Sequence, residues 1–173
     1  SPYNLNFLVY NDTLIEEHIT GIPGDEFIEH MLPDCTSSEK SQIAKEFVKF
    51  NERCMIRLLG DMRSYNYVIV PTHDFDHVVF NIRAIDFDQQ CFEGKFNVYR
   101  PQFFKENFKM VDLVTQKFEK QSINQYKLEE RSIVAKRMLS FKHRIDHALF
   151  CAVLTHNYYT GVSHKIGEVH DGA

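Results

Sequence analysis

The chain has 173 residues with 24 acidic and 20 basic side chains, a formal net charge of −4, so nothing in its bulk charge draws it to nucleic acid or to an anionic membrane surface. Its 15 Phe and 8 Tyr exclude a disordered chain, and its length allows one domain with a substantial core. No apolar run approaches the ~18 residues of a spanning helix, no basic-then-apolar leader opens the chain, and Cys35, Cys54, Cys91 and Cys151 form no CxxC spacing, so a cytoplasmic protein with reduced thiols is expected.

In chain order, residues 5–10 (LNFLVY) read as a strand. The following NDTLIEEHITGIPGDEF, with Gly21, Pro23 and Gly24 close together, reads as a loop leading into a short helix at about 25–32 that Pro33 stops. Thr36 and Glu39 have the spacing of a capping box. Behind them Ile43, Phe47, Phe50, Cys54 and Leu58 recur at steps of three and four, one apolar stripe of a long helix with Gly60 as its stop. Residues 66–71 and 77–85 are two β-branched runs around the polar THDFD, which reads as a hairpin. Pro101 suits the first turn of a helix that continues through Phe104, Phe108, Val111 and either Thr115 or Phe118. Ser122 and Gln125 repeat the capping-box spacing, and from Leu128 to about Thr155 the pattern is helical. These elements make an α+β, mostly helical fold class, expected as a single domain over residues 1–173.

Three polar residues stand where these elements begin and end. Asp61 directly follows the long helix, Asn66 opens the first hairpin strand, and Asp86 follows the second. A hairpin folds back on itself, so Asn66 and Asp86 are expected close together. An amide oxygen and a carboxylate suit Mg²⁺, which needs only one or two carboxylates beside phosphate oxygens and water. Asp61 would stand nearby as a carboxylate able to take a proton from a hydroxyl nucleophile. This is the division of labour of phosphoryl transfer.

The run Gly60-Asp61-Met62-Arg63-Ser64-Tyr65-Asn66, followed by a hairpin and Ile85-Asp86-Phe87-Asp88, resembles the C-terminal lobe of the protein-kinase-like superfamily, above all its aminoglycoside-phosphotransferase-like branch. Residues 7–24 resemble the strand and hinge that precede that lobe, so that 5–24 is a hinge-like segment and the resemblance covers roughly the first half of the chain. It implies a kinase-like C-lobe with a catalytic-loop hairpin, ATP and Mg²⁺ as cofactors, and an unidentified hydroxyl as phosphoryl acceptor. It implies Asp61 as the catalytic carboxylate, Arg63 as a positive charge on the transferring phosphate, and Asn66 and Asp86 as metal ligands. It places Ile15, Glu16, Glu17 and His18 beside the adenine. No glycine-rich phosphate loop is read in this chain, so either it is a C-lobe fragment, or a separate segment supplies the N-lobe, or the protein lacks activity. Partners are then a nucleotide and an acceptor, with neither membrane nor nucleic acid.

Other motifs have plainer readings. His73-Asp74-Phe75-Asp76-His77 reads as a solvated turn, with a metal-dependent hydrolase as the sharper alternative. His143 and His147 are four apart in an apolar helical stretch but lack the Glu of a zinc-binding helix. Phe103, Phe104 and Phe108 read as core. Leu59, where protein kinases commonly carry His, keeps an inactive pseudokinase or interaction module as the rival from another class.

Overall fold

The computed structural model describes residues 7–10, 13–16, 18–74, 77–87, 89 and 96–140, with the backbone alone for 7–10, 13–16, 73, 74, 77, 138 and 140. Chain contacts divide the protein into two compact units, Ser1–Arg131 and Ser132–Ala173. In the second unit only the last turns of one helix are described. The readings placed on Asp76, Asp88, Cys91, His143, His147 and Cys151 lie outside the described residues.

The protein is α+β and mostly helical. Strand β1 (Phe7–Tyr10) pairs antiparallel with β2 (Thr13–Glu16) in a two-stranded sheet of their own. A second sheet is three-stranded and antiparallel in the order β3-β4-β5, from Ile22–Pro23, Tyr67–Asp74 and His77–Ala84. The expected loop over 11–24 therefore contains two strands. Pro23 is tolerated because β3 is an edge, where a missing N–H costs no ladder bond. The short helix begins at Gly24, as α1 (Gly24–Glu26), and runs on through a π turn (Phe27–Met31) into a 3-10 turn (Leu32–Asp34). Pro33 does not stop it. It sits in the first turn of the 3-10 segment, where its missing donor is not needed.

Helix α2 (Ser37–Arg57) begins as its sequence dictates. The Thr36 N–H donates to Glu39 Oε2 at 2.7 Å, and the Glu39 N–H donates to Thr36 Oγ1 at 3.3 Å. Ile43, Phe47, Phe50 and Cys54 are all buried, and the first three contribute about 1.5–3 kcal/mol each as fully buried large apolar side chains. Burial also pushes the Cys54 thiol up to about 12, which leaves it unreactive. Leu58 departs from the expected stripe: it is exposed and left-handed (φ 53°). It ends the helix two residues before Gly60. The Leu59 N–H donates to the Cys54 carbonyl at 2.9 Å and the Leu58 N–H to Met55 at 3.4 Å. This is a Schellman ending with leucine where glycine is usual, and Leu59 turns into the core in place of Leu58.

Helix α2 lies against β5, the other edge of the sheet. Phe80 and Ile82 point their N–H groups away from β4, and α2 supplies the missing acceptors. Phe80 N–H donates to Gln42 Oε1 and Ile82 N–H to Glu46 Oε1, both at 3.2 Å, while Arg53 Nη2 donates to the Ile82 carbonyl at 3.2 Å. An edge that would otherwise template another strand is thus closed by side chains. Beneath it Phe27 meets Phe80 edge-on, with ring centroids 5.5 Å apart, and Phe50 meets Tyr67 at 5.1 Å.

The region after Pro101 is not the continuous helix its spacing suggests. Short 3-10 turns at Phe96–Tyr99, Pro101–Phe103 and Lys105–Asn107 lead into α3 (Phe108–Lys117). The breaks rotate the aromatic residues outward: Phe103 and Phe108 are each 52% exposed, so they are not core, and Asn107 turns inward with no exposure at all. Helix α4 (Lys120–Ser140) starts two residues before Ser122, which is therefore inside it. Glu119 accepts the first bond, from the Ile123 N–H at 3.1 Å. Among the described residues no helix is long and apolar enough to cross a membrane.

Candidate functional site

The segment from Gly60 to Asn66 joins α2 to the hairpin. A Cβ on Gly60 would lie 2.5 Å from the Gln89 carbonyl oxygen, so the chain passes too close for any other residue without rearrangement. Asp61 follows in the left-handed region (φ 53°), a conformation that Asp tolerates better than most residues. Backbone strain of this kind gathers at functional sites. The Asp61 N–H donates to the Val98 carbonyl at 3.0 Å, tying the loop to the segment before Pro101.

The Asp61 carbonyl accepts twice, from the Arg63 N–H at 2.7 Å and from Asn66 Nδ2 at 2.8 Å. Asn66 is buried, and its amide nitrogen is committed to the loop, so its amide oxygen is the atom a cation would take. The Asn66 carbonyl accepts from the Ile85 N–H at 3.1 Å, extending the β4–β5 ladder beyond the pair of Tyr67 and Ala84. Asn66 therefore stands opposite Ile85, one residue from Asp86. Phe87 packs, half-buried, against the core and anchors the chain just beyond Asp86.

Arg63 bridges two carboxylates. Its Nε donates to Asp61 Oδ1 at 2.8 Å and its Nη1 to Glu106 Oε1 at 3.1 Å, with the guanidinium 5.1 Å above the Phe104 ring. The hydrogen bond and charge of Asp61 hold the Arg63 pKa well above its usual range. Glu106 is held below the ordinary 4.5, first by a backbone hydrogen bond and further by the Arg63 charge. Its other oxygen, Oε2, is buried with no hydrogen-bond partner among the described residues.

Asn107 holds this loop from below. Its Nδ2 donates to the Met62 carbonyl at 3.0 Å and the Pro101 carbonyl at 2.8 Å, and its Oδ1 accepts from the buried Tyr67 hydroxyl at 2.9 Å. Tyr67 in turn lies against Gly24, where a Cβ would collide with the ring.

Asp61, Arg63 and Asn66 are thus joined in one loop at one end of the β4–β5 hairpin, and Asp86 follows Ile85, the residue opposite Asn66. Ile15 and Glu16 lie on β2, opposite Leu8 and Phe7, in the separate two-stranded sheet. His18 is exposed beyond that strand, and Glu17 lies outside the described residues. Among the described residues no group of three or more His, Cys, Asp or Glu side chains gathers as a metal cluster. Sequence reasoning missed Glu106 and Asn107, which act across 43 and 45 residues of chain. The available signal was the polar pair itself, set between Phe104 and Phe108. No protein-family model matches the chain, and neither a curated protein nor a solved structure matches it significantly.

Proposed function

We propose that the chain is the C-lobe of an ATP- and Mg²⁺-dependent phosphotransferase of kinase-like type, acting on a hydroxyl acceptor in the cytoplasm. The observation that carries this reading is the register at the hairpin's open end. It sets Asn66 one position from Asp86 while the Asn66 amide nitrogen is held by Asp61. An amide oxygen and one carboxylate fit a cation that keeps waters and takes its remaining ligands from phosphate oxygens. Mg²⁺, when bound, would neutralise charge on the phosphates.

Asp61 is the group assigned to the acceptor hydroxyl. Its backbone is fixed at both its N–H and its carbonyl, so its carboxylate starts from a defined position. As general base it accepts the hydroxyl proton as the oxygen attacks. Arg63, now between Asp61 and Glu106, supplies a positive charge that an incoming phosphate would compete for. Residues Ile15 to His18 are assigned to the nucleotide base, and a separate segment to the remainder of the triphosphate clamp.

One observation favours the rival, an inactive pseudokinase or interaction module: the proposed base already holds the Arg63 guanidinium. Calorimetry with ATP, with and without Mg²⁺, tests the metal assignment. Binding that requires Mg²⁺ in the wild type and weakens at least tenfold in Asp86→Ala is expected, and equal binding by both proteins removes Asp86 from the site. If Mg²⁺-dependent binding is present but no phosphoryl transfer accompanies it, the inactive reading stands.

A further inference from the structure

A cleft of about 250 Å³ opens between α2, α3, α4 and the Pro101 turn. It shares no lining residue with the loop that carries Asp61 and Asn66 or with Asp86, so a ligand there is independent of the phosphotransferase reading. Its floor is apolar, formed by Phe47, Val48, Met55, Val114 and Ile123. Its charged lining is Arg100, Lys127 and Arg131 with one carboxylate, Glu52.

That carboxylate is already shared. Glu52 Oε2 takes Arg131 Nε at 2.7 Å, and Oε1 lies 3.8 Å from Lys127 Nζ. Arg100 has no carboxylate partner among the described residues. Its guanidinium lies over the exposed rings of Phe96 and Phe103, at 5.2 and 5.5 Å. The rim therefore carries an excess of positive charge above an apolar floor. Gln102, also on the wall, is fixed through its N–H to Asn51 Oδ1 at 3.1 Å, and its amide oxygen is buried with no partner among the described residues. A half-turn of that amide exchanges the oxygen for a nitrogen donor suited to an anion.

We propose that this cleft binds a small amphipathic carboxylate, with the chain on the apolar floor and the head group among Arg100, Lys127 and Arg131. At ~30 Å³ for each water-sized group, the volume admits a chain of about eight such groups. A hydrophobic body with a few placed polar groups is the usual make-up of a small-molecule site. A neutral or cationic chain of equal length gains the floor without the rim.

The test titrates octanoate, 1-octanol and octylamine into the whole chain, followed by calorimetry and by amide chemical shifts. Octanoate is expected to bind saturably and at least tenfold more tightly than either comparator, shifting amides of residues 100–102 and 111–115. The Arg100→Gln/Lys127→Gln double variant is expected to lose that preference while keeping weak octanol binding. Thr115→Trp, an exposed rim position, is expected to block all three. Absence of saturable octanoate binding to the wild type overturns the proposal, as does equal affinity for all three ligands. The ligand series uses unaltered protein, so the proposal stays testable even if a variant fails to fold.

Discussion

Asn107 and Glu130 are both wholly buried polar side chains, and the fold answers their polarity in opposite ways. Asn107 is neutral and has three hydrogen bonds of 2.8–3.0 Å, to Met62, Pro101 and Tyr67. Glu130 has no hydrogen bond to either carboxylate oxygen among the described residues. Its near partner is Arg53, with Nη1 at 3.5 Å, and Arg53 also serves Glu46 and the Ile82 carbonyl. The first centre is satisfied by direction and the second by charge alone. A buried group held by directed bonds fixes the backbone around it, whereas a buried ion pair that lacks them contributes little net stability. It is the directed centre that lies under the Asp61 loop.

The largest expected effect comes from breaking the directed centre. Asn107→Leu keeps the volume and leaves the Met62 carbonyl and the Tyr67 hydroxyl without these partners, while the Pro101 carbonyl keeps the Phe104 N–H at 3.2 Å. At ~1–3 kcal/mol for each of these two buried groups, the loss should be roughly 2–6 kcal/mol in urea unfolding. Exchange of the Met62 and Arg63 amides should accelerate with it. A loss under about 1 kcal/mol would mean that water or another group takes over these bonds.

Glu130→Gln sharpens the contrast from the other side. Arg53 keeps Glu46 and Ile82, so this substitution should change stability by no more than about 1 kcal/mol, although it removes a charge from a fully buried site. A loss of about 3–5 kcal/mol, the cost of leaving a buried charge uncompensated, would show that the 3.5 Å pair matters more than its geometry suggests.

The smallest effect belongs to the more exposed pair of Arg63 and Glu106. The folded Glu106 carboxyl lies below the ordinary 4.5, so it stabilises the fold above that value and ceases to as pH falls through its lower folded pKa. Unfolding curves of wild type and Glu106→Gln should therefore differ slightly at neutral pH and converge in acid. A gap that widens on acidification would reverse the sign.

Much of α2 was legible because its signals are local and agree with one another. The capping box sits at its start, and the apolar stripe keeps helical period up to Cys54. Its end was misplaced because a Schellman turn normally advertises itself with glycine, and here Leu58 takes the left-handed position. Strand β3 was hidden because a short edge strand tolerates the Pro that marks loops elsewhere. The Pro101 region misled because Phe104 and Phe108 are four apart, the spacing of a helical face. The 3-10 turns break that face, send Phe103 and Phe108 outward and carry Asn107 in.

The candidate site divides along the same line. Asp61, Asn66 and Asp86 were readable because a hairpin's register is set by its two strands, so their approach is nearly a local property. The Arg63–Glu106 bridge and the Asn107 anchor depend on chain segments more than 40 residues apart. The closing of the β5 edge by Gln42, Glu46 and Arg53 likewise joins segments distant in the chain.

The central claim is that Asn66 and Asp86 hold one cation with its nucleotide. Mn²⁺ in place of Mg²⁺, added at low occupancy with ATP to isotopically labelled protein, tests it most directly through distance-dependent line broadening. The account predicts that the amides of residues 64–66 and 85–87 broaden first and that Asp86→Ala abolishes the effect. Broadening that begins instead at His73 to His77, or that persists unchanged in Asp86→Ala, would contradict it.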